Sequence, residues 1–155
     1  MEVTLLGTGD TTGTPTVGCD CDTCTAARER GISRSRFSVH VRNEGTGESL
    51  LIDFSPDFRQ QFLDHDVPLP DAGLVTHIHF DHLDGLGNAY RVFDALTVHA
   101  PDEVDPVTDE SVADTVRRKY DYLEDRIGVA AHDPFEPFET CGFEVRFVPV
   151  EHPPL

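Results

Sequence analysis

The stretch that most constrains how this chain can fold is THIHFDHLDG, Thr76 to Gly85. It follows the apolar run Gly73, Leu74 and Val75, which reads as a buried strand ending at Thr76. Where the chain stays extended His77 and His79 share one face, and Gly85 and Gly87 then let the backbone turn away behind Asp81 and His82. Imidazole nitrogen and carboxylate oxygen suit zinc, iron or manganese, and a set without thiolate argues against a closed structural cage. Three imidazoles and a carboxylate are too many for one cation that keeps an open position. The natural division gives His77 and His79 to one ion and Asp81 and His82 to its neighbour. A histidine-rich surface loop that binds nothing is the plain alternative, and the His-x-His-x-Asp-His order at the mouth of a strand weighs against it.

Composition sets outer bounds. A chain of 155 residues, 38% hydrophobic, suffices for one modest domain with a core. No apolar run approaches a bilayer span and no basic start precedes a hydrophobic stretch, so the expectation is a soluble, cytoplasmic protein without membrane contact. The net charge of -17 comes from 29 acids against 12 bases, and Lys119 is the single lysine. Such a field repels nucleic acid and other polyanions unless a metal overrides it locally. The acid-rich, lysine-poor balance fits a halophilic protein, because high salt screens repulsion among carboxylates; an acidic protein from ordinary salt has the same composition.

Cys19, Cys21 and Cys24 lie within six residues, which fits a reducing compartment and metal binding better than a disulfide framework. A structural zinc wants four ligands, so one must come from elsewhere, with Cys141 or a distant histidine as candidates. Gly7, Gly9 and Gly13 follow a first strand, Glu2 to Leu6. Their spacing and Pro15 are wrong for a phosphate-binding fingerprint, and they read as a tight loop passing near the metal site.

Alternation predicts a strand over 37–41, with His40 facing outward, and a second from Ser49 to Phe54, joined as a hairpin. Asp53 ends that apolar strand; an isolated buried carboxylate is costly, so it is expected to accept hydrogen bonds from the histidine loop. Helices are expected from Ala26 to Arg30, from an N-cap at Ser55 with Phe58, Phe62 and Leu63 on one face, and from Glu110 to Ile127 with Val112, Val116, Tyr120 and Leu123 inward. Tyr90, Arg91 and Phe93 are candidates for a substrate pocket, core packing being the plainer fate of the aromatics. The basic cluster Arg117, Arg118 and Lys119 reads as a helix face balanced by Asp121, Glu124 and Asp125. Leu96 to His99 makes a short strand whose histidine has no companion ligand nearby, and a final strand between Phe138 and Val150 delivers Glu151 and His152.

The histidine string resembles, at His77, His79, Asp81 and His82, the signature of the metallo-β-lactamase-fold hydrolases. With the opening Leu6-Gly7-Thr8-Gly9 and the segment from Gly18 to Cys24, the chain is similar to the cyclic-phosphate phosphodiesterases of the carbon–phosphorus lyase pathway and their relatives. Ribonuclease Z enzymes share the opening and the histidine string but not the cysteine cluster. The resemblance implies an α/β fold, the αββα sandwich of that family, in a single domain over 1–155 that represents its N-terminal half or a truncated version. It implies two catalytic ions, zinc or manganese, and one structural zinc on Cys19, Cys21 and Cys24, completed by a histidine far toward the C-terminus. It places His152 with His77 and His79 on the first ion, sets Asp53 behind the ligands, and makes Asp81 and His82 catalytic residues on the second.

The implied reaction is attack on phosphorus by a hydroxide shared between the two ions. The implied partner is a small phosphodiester, a cyclic ribose phosphate being first choice; nucleic acid is disfavoured and a homodimer is allowed. In the family a bridging aspartate and a last histidine come after the position of Leu155, so the chain is expected to be part of a longer protein or a truncated product. Asp81 and His82 alone are too few donors for a second ion. The rivals are hydrolysis of RNA 3′ ends, a thioester or a lactone by the same nucleophile and, from another class, a non-catalytic zinc module.

Overall fold

The computed structural model describes residues 1–106 and 108–151. Strand β1 (Glu2–Gly7) leads through the glycine and cysteine loop to helix α1 (Asp22–Arg30), which closes on Gly31 in the left-handed conformation. Strands β2 (Ser38–Arg42) and β3 (Ser49–Ile52) follow as a hairpin, with the Asn43 side chain accepting from the backbone of Gly45 at 2.9 Å in the turn. Next come α2 (Phe58–His65), β4 (Ala72–Leu74), a short α3 (Phe80–Leu83), a 3-10 turn at Asp84–Asn88, α4 (Ala89–Val92) and β5 (Leu96–Pro101). A two-residue pair, β6 (Val104–Asp105) and β7 (Glu110–Ser111), precedes α5 (Val112–Lys119) and β8 (Ile127–His132). The hairpin β9 (Phe138–Thr140) and β10 (Phe143–Val145) comes last.

One six-stranded sheet in the order β1-β2-β3-β4-β5-β8 organises these elements. The first three strands form an antiparallel meander, and β3, β4, β5 and β8 run parallel. Parallel neighbours need crossovers, and α2, the α3–α4 stretch and α5 supply them. The helices cover one face, where Leu51, Phe54, Val75, Val98, Ala113 and Val116 are fully buried. Each such branched or aromatic side chain contributes about 1.5–3 kcal/mol by leaving water. On the other face the β9–β10 hairpin covers Leu50, Ala72 and Leu74, while Val3 and Leu5 of β1 remain 51% and 55% exposed. Gly73 of β4 lies directly beneath Phe54, and a Cβ there would come within 2.4 Å of the ring.

Several local expectations change. His40 is buried, 2% exposed and edge-on to Phe62, because α2 closes the face that simple alternation leaves to solvent. Helix α2 begins at Phe58, and Ser55 caps nothing: its Oγ accepts from Asp57 N at 3.1 Å within the preceding turn. Leu63 points outward, 61% exposed. Helix α5 starts at a true cap, Ser111 Oγ accepting from Asp114 N at 3.1 Å, worth about 1 kcal/mol. It stops at Lys119, and a 3-10 turn at Asp121–Leu123 seats Leu123, so Val112, Val116, Tyr120 and Leu123 are all buried but not by one continuous helix. The basic cluster is paired with Asp114, Glu110 and Asp84 rather than with the acids that follow it. The expected final strand is the β9–β10 hairpin, and β8 is an additional strand.

Candidate metal centre

The histidine loop leaves the sheet between two strand ends. Val75 N still donates to His99 O at 2.9 Å, and Thr76 N donates to Asp53 Oδ1 at 2.8 Å. Asp53 sits just past β3 with φ 61, a left-handed conformation that aspartate tolerates better than most residues. Its N–H donates to Leu74 O at 2.8 Å and its carbonyl accepts from Ser38 Oγ at 2.7 Å, so the backbone is pinned on both sides. The carboxylate, 1% exposed, takes Thr76 Oγ1 at 2.8 Å on Oδ2 and lies 2.6 Å from His82 Nδ1. Asp53 is therefore a buried acceptor for the histidine loop.

Helix α3 presents the second half of the string. Phe54 N donates to His82 O at 2.7 Å and Gly85 N to Phe54 O at 2.8 Å, which ties the loop down behind the histidines. A Cβ on Gly85 would lie 2.0 Å from Ser55 O, so only glycine fits this crossing. With Nδ1 engaged by Asp53, His82 turns Nε2 to within 3.3 Å of Asp81 Oδ2. Burial alone would lower the His82 pKa, but the hydrogen bond and charge of Asp53, with the charge of Asp81, outweigh it and raise the value above the usual imidazole range. Asp81 is 2% exposed, and its Oδ1 has no hydrogen-bond partner among the described residues. A buried carboxylate oxygen left bare costs several kcal/mol in order of magnitude, and a cation would satisfy it.

The string comes together in space. The His77 ring centroid lies 4.5 Å from that of His79 and 4.1 Å from that of His82, and Thr76 Oγ1 fixes the His77 ring at Nδ1, 2.9 Å away. Donor atoms of Asp53, His77 and His82 fall within 4.8 Å of one another. Since both Asp53 oxygens are already accepting from Thr76 and His82, we read Asp53 as the residue that aims His82 rather than as a ligand. His152 lies outside the described residues. A cleft of about 740 Å³ is lined by His77 and His79 together with Val104, Val112 and residues Phe147 to Glu151. Arg146 is the one arginine or lysine among its described lining residues. Tyr90, Arg91 and Phe93 do not line it: Arg91 lies over the Tyr90 ring and Phe93 is in the core.

The cysteine loop gathers a second set of donors. The Cys19, Cys21 and Cys24 sulfurs lie within 4.8 Å of one another at the first turn of α1, and Thr16 N donates to Cys24 Sγ at 3.3 Å. The backbone N–H of Cys24, then the neighbouring thiols, pull the Cys21 pKa below its usual value. A backbone bond at Cys21 acts to lower the Cys19 pKa, yet the neighbouring Cys21 and Cys24 thiols outweigh it and raise the value. Cys141 does not join them, its thiol donating to Ser49 O at 3.5 Å under the β9–β10 hairpin. That removes Cys141 as the fourth ligand.

Two features lie outside what the sequence alone predicts: the Thr76 hydroxyl links Asp53 to His77, and His99 does have a companion, His132, which only the β5–β8 pairing brings to it.

Residues 48–154 match the beta-lactamase superfamily domain, and the chain belongs to that family, with the sheet, helix face and strand-exit histidine loop of its metallo-β-lactamase fold. Among solved structures it is similar to a diphosphatase of the PhnP family, with 29% identity and a TM-score of 0.71 over 92% of this chain and 54% of that one. It is also similar to Zn(2+)-bound PqqB from Methylobacterium extorquens, with 25% identity and a TM-score of 0.74 over 90% of this chain and 48% of that one. An octanoyltransferase from Porphyromonas gingivalis is 38% identical over 123 residues, 79% of this chain but 23% of that protein. The chain therefore spans about half the length of the two solved relatives and under a quarter of the octanoyltransferase. Among the described residues, no helix is long and apolar enough to cross a membrane.

Proposed function

We propose that this chain carries the metal site of a hydrolase acting on a small phosphodiester, a cyclic ribose phosphate being the first choice. His77 and His79, with His152, would hold one zinc or manganese ion, Asp81 and His82 would contribute to a second, and the three cysteines would hold a structural zinc. The observation that carries this reading is the bare, buried Oδ1 of Asp81, whose Oδ2 lies 3.3 Å from His82 Nε2, together with the crossed His77 and His79 rings. Divalent ions in such a site lower the pKa of water and offset charge on a phosphoryl group. Asp53 keeps the proton of His82 on Nδ1, so Nε2 presents its lone pair to a cation. Arg146 supplies a positive group in the cleft for an anionic substrate, against an otherwise acidic surface that disfavours long nucleic acid. The likeness to a PhnP-family diphosphatase and to a zinc-bound relative supports the phosphorus chemistry and the metal.

Turnover of bis(p-nitrophenyl) phosphate together with a metal count tests the proposal. His77→Ala is expected to lower turnover by at least about 100-fold while the cysteine-bound zinc stays. Unchanged turnover, or loss of every metal at once, would overturn it. The apolar part of the cleft lining, Val104, Val112, Phe147 and Val148, favours one second reading, an acyl thioester or lactone as substrate. Faster turnover of such esters than of the phosphodiester would select it.

A further inference from the structure

On the sheet face away from the helices, His99 and His132 meet ring to ring. His99 Nδ1 lies 2.8 Å from His132 Nε2, and His99 Nε2 lies 3.1 Å from Thr140 Oγ1 of the hairpin. A contact of that length between two ring nitrogens holds a single proton, one imidazole donating and the other accepting; two imidazolium rings would have no acceptor between them and would repel. Phe138 covers both rings, its centroid 3.6 Å from His132 and 4.9 Å from His99. Phe147 in turn packs 5.6 Å from Phe138 and 6.2 Å from His132, and it lines the cleft together with His77 and His79. Pro101, opposite His132 in the β5–β8 register, lines the same cleft. A short run of contacts therefore joins the imidazole pair to the wall of the proposed site.

Among the described residues no acid pairs with either ring. Strand β4 contributes Ala72 and Leu74 to this layer, β9 Phe138, and β10 Phe143 and Val145; the Cys141 thiol lies there too, with the charges of Glu48 and Asp71 acting on it rather than on the imidazoles. Glu139 and Glu144 are exposed, alternating with the residues that face the sheet, and Asp102 and Asp133 follow the two histidine strands. Among the described residues neither His99 nor His132 forms an ion pair with any of these acids.

We infer that His99 and His132 are positioning residues for the cleft, holding the β9–β10 hairpin and Phe147 against the sheet while they share one proton and releasing them when both are charged. Burial, and for His99 also the neighbouring ring, lowers both pKa values below the ordinary imidazole value. A lowered folded value fixes the sign: the pair contributes fully above about pH 6.5 and loses its contribution as pH falls through the lowered values.

Amide hydrogen exchange on the protein as purified, corrected for intrinsic rates, tests this independently of turnover. Protection of the Phe138–Val145 amides is expected to fall by at least about tenfold between pH 7.5 and pH 5 in the wild type. His132→Gln keeps a polar atom near the Nε2 position without titrating, so the fall should shrink to about threefold, the part that buried His99 alone still supplies. Metal released on acidification affects both proteins alike, and the difference between them reports the pair. A flat wild-type profile, or an equal fall in His132→Gln, overturns the inference. Thr140→Val gives a second reading should that variant fold poorly: hairpin protection at pH 7.5 should drop about fivefold, about 1 kcal/mol for the lost hydrogen bond, and no change overturns the inference as well.

Discussion

The histidine loop and the cysteine loop are both compact sets of metal-type donors, yet they are built in opposite ways. The histidine donors hang from the ends of parallel strands, and Asp53, itself pinned by Leu74 and Ser38, grips Thr76 and His82 from behind. The cysteines sit on a loop running into the first turn of a helix, with Cys21 exposed and the sulfurs held by little besides one another and Thr16. One set is held in place by the hydrogen bonds of the fold. The other is gathered by local chain and would be completed by its ligand. The difference teaches that donor density alone does not measure how far a site is organised; the hydrogen bonds behind the donors do.

The largest expected effect comes from Gly85→Ala, since the new methyl collides with the Ser55 carbonyl at the crossing that ties the histidine loop down. A loss of about 3–5 kcal/mol in urea unfolding is expected, with zinc still bound at the cysteines of the folded fraction. A loss below about 1 kcal/mol would mean the loop is not held there.

Asp53→Asn probes the same support more gently, because asparagine also accepts the left-handed backbone. Affinity for the histidine-bound metal should drop about 10–100-fold, read by competition with a chelator. In the metal-free protein the substitution should cost more at pH 6 than at pH 8. His82 has a raised folded pKa, so its stabilising contribution is complete below the ordinary imidazole value and fades as pH rises through the folded one. An equal cost at both values would break the link between Asp53 and His82.

Cys24→Ser should do least to the fold. It is expected to abolish zinc at the loop while shifting metal-free unfolding by no more than about 1 kcal/mol and leaving the histidine-site affinity unchanged. Loss of both metals would show that the two regions are coupled after all.

How much of this was legible follows from where the information lies along the chain. The histidine string and the cysteine cluster are local patterns, each within one short stretch, whereas Asp53, 23 positions from Thr76 and 29 from His82, was legible only from the cost of burying a lone carboxylate. His40, β8 and the His99–His132 contact were not legible, because each depends on elements far apart in sequence. His40 is buried only once α2 returns over β2, and the two imidazoles, 33 positions apart, meet only when β5 and β8 pair. The early end of α5 escaped for a related reason: Tyr120 and Leu123 keep helical spacing toward the core although a different turn carries them there.

Gly73 has a consequence for the strand that delivers the histidines. Phe54 lies against bare backbone there, and its β4 neighbours are Ala72 and Leu74. A slip of one residue would drive a methyl or an isobutyl group into that ring and turn every β4 side chain to the opposite face. The missing side chain thus works as an alignment key, admitting one registration of the strand and fixing how far beyond the sheet its cargo of imidazoles emerges.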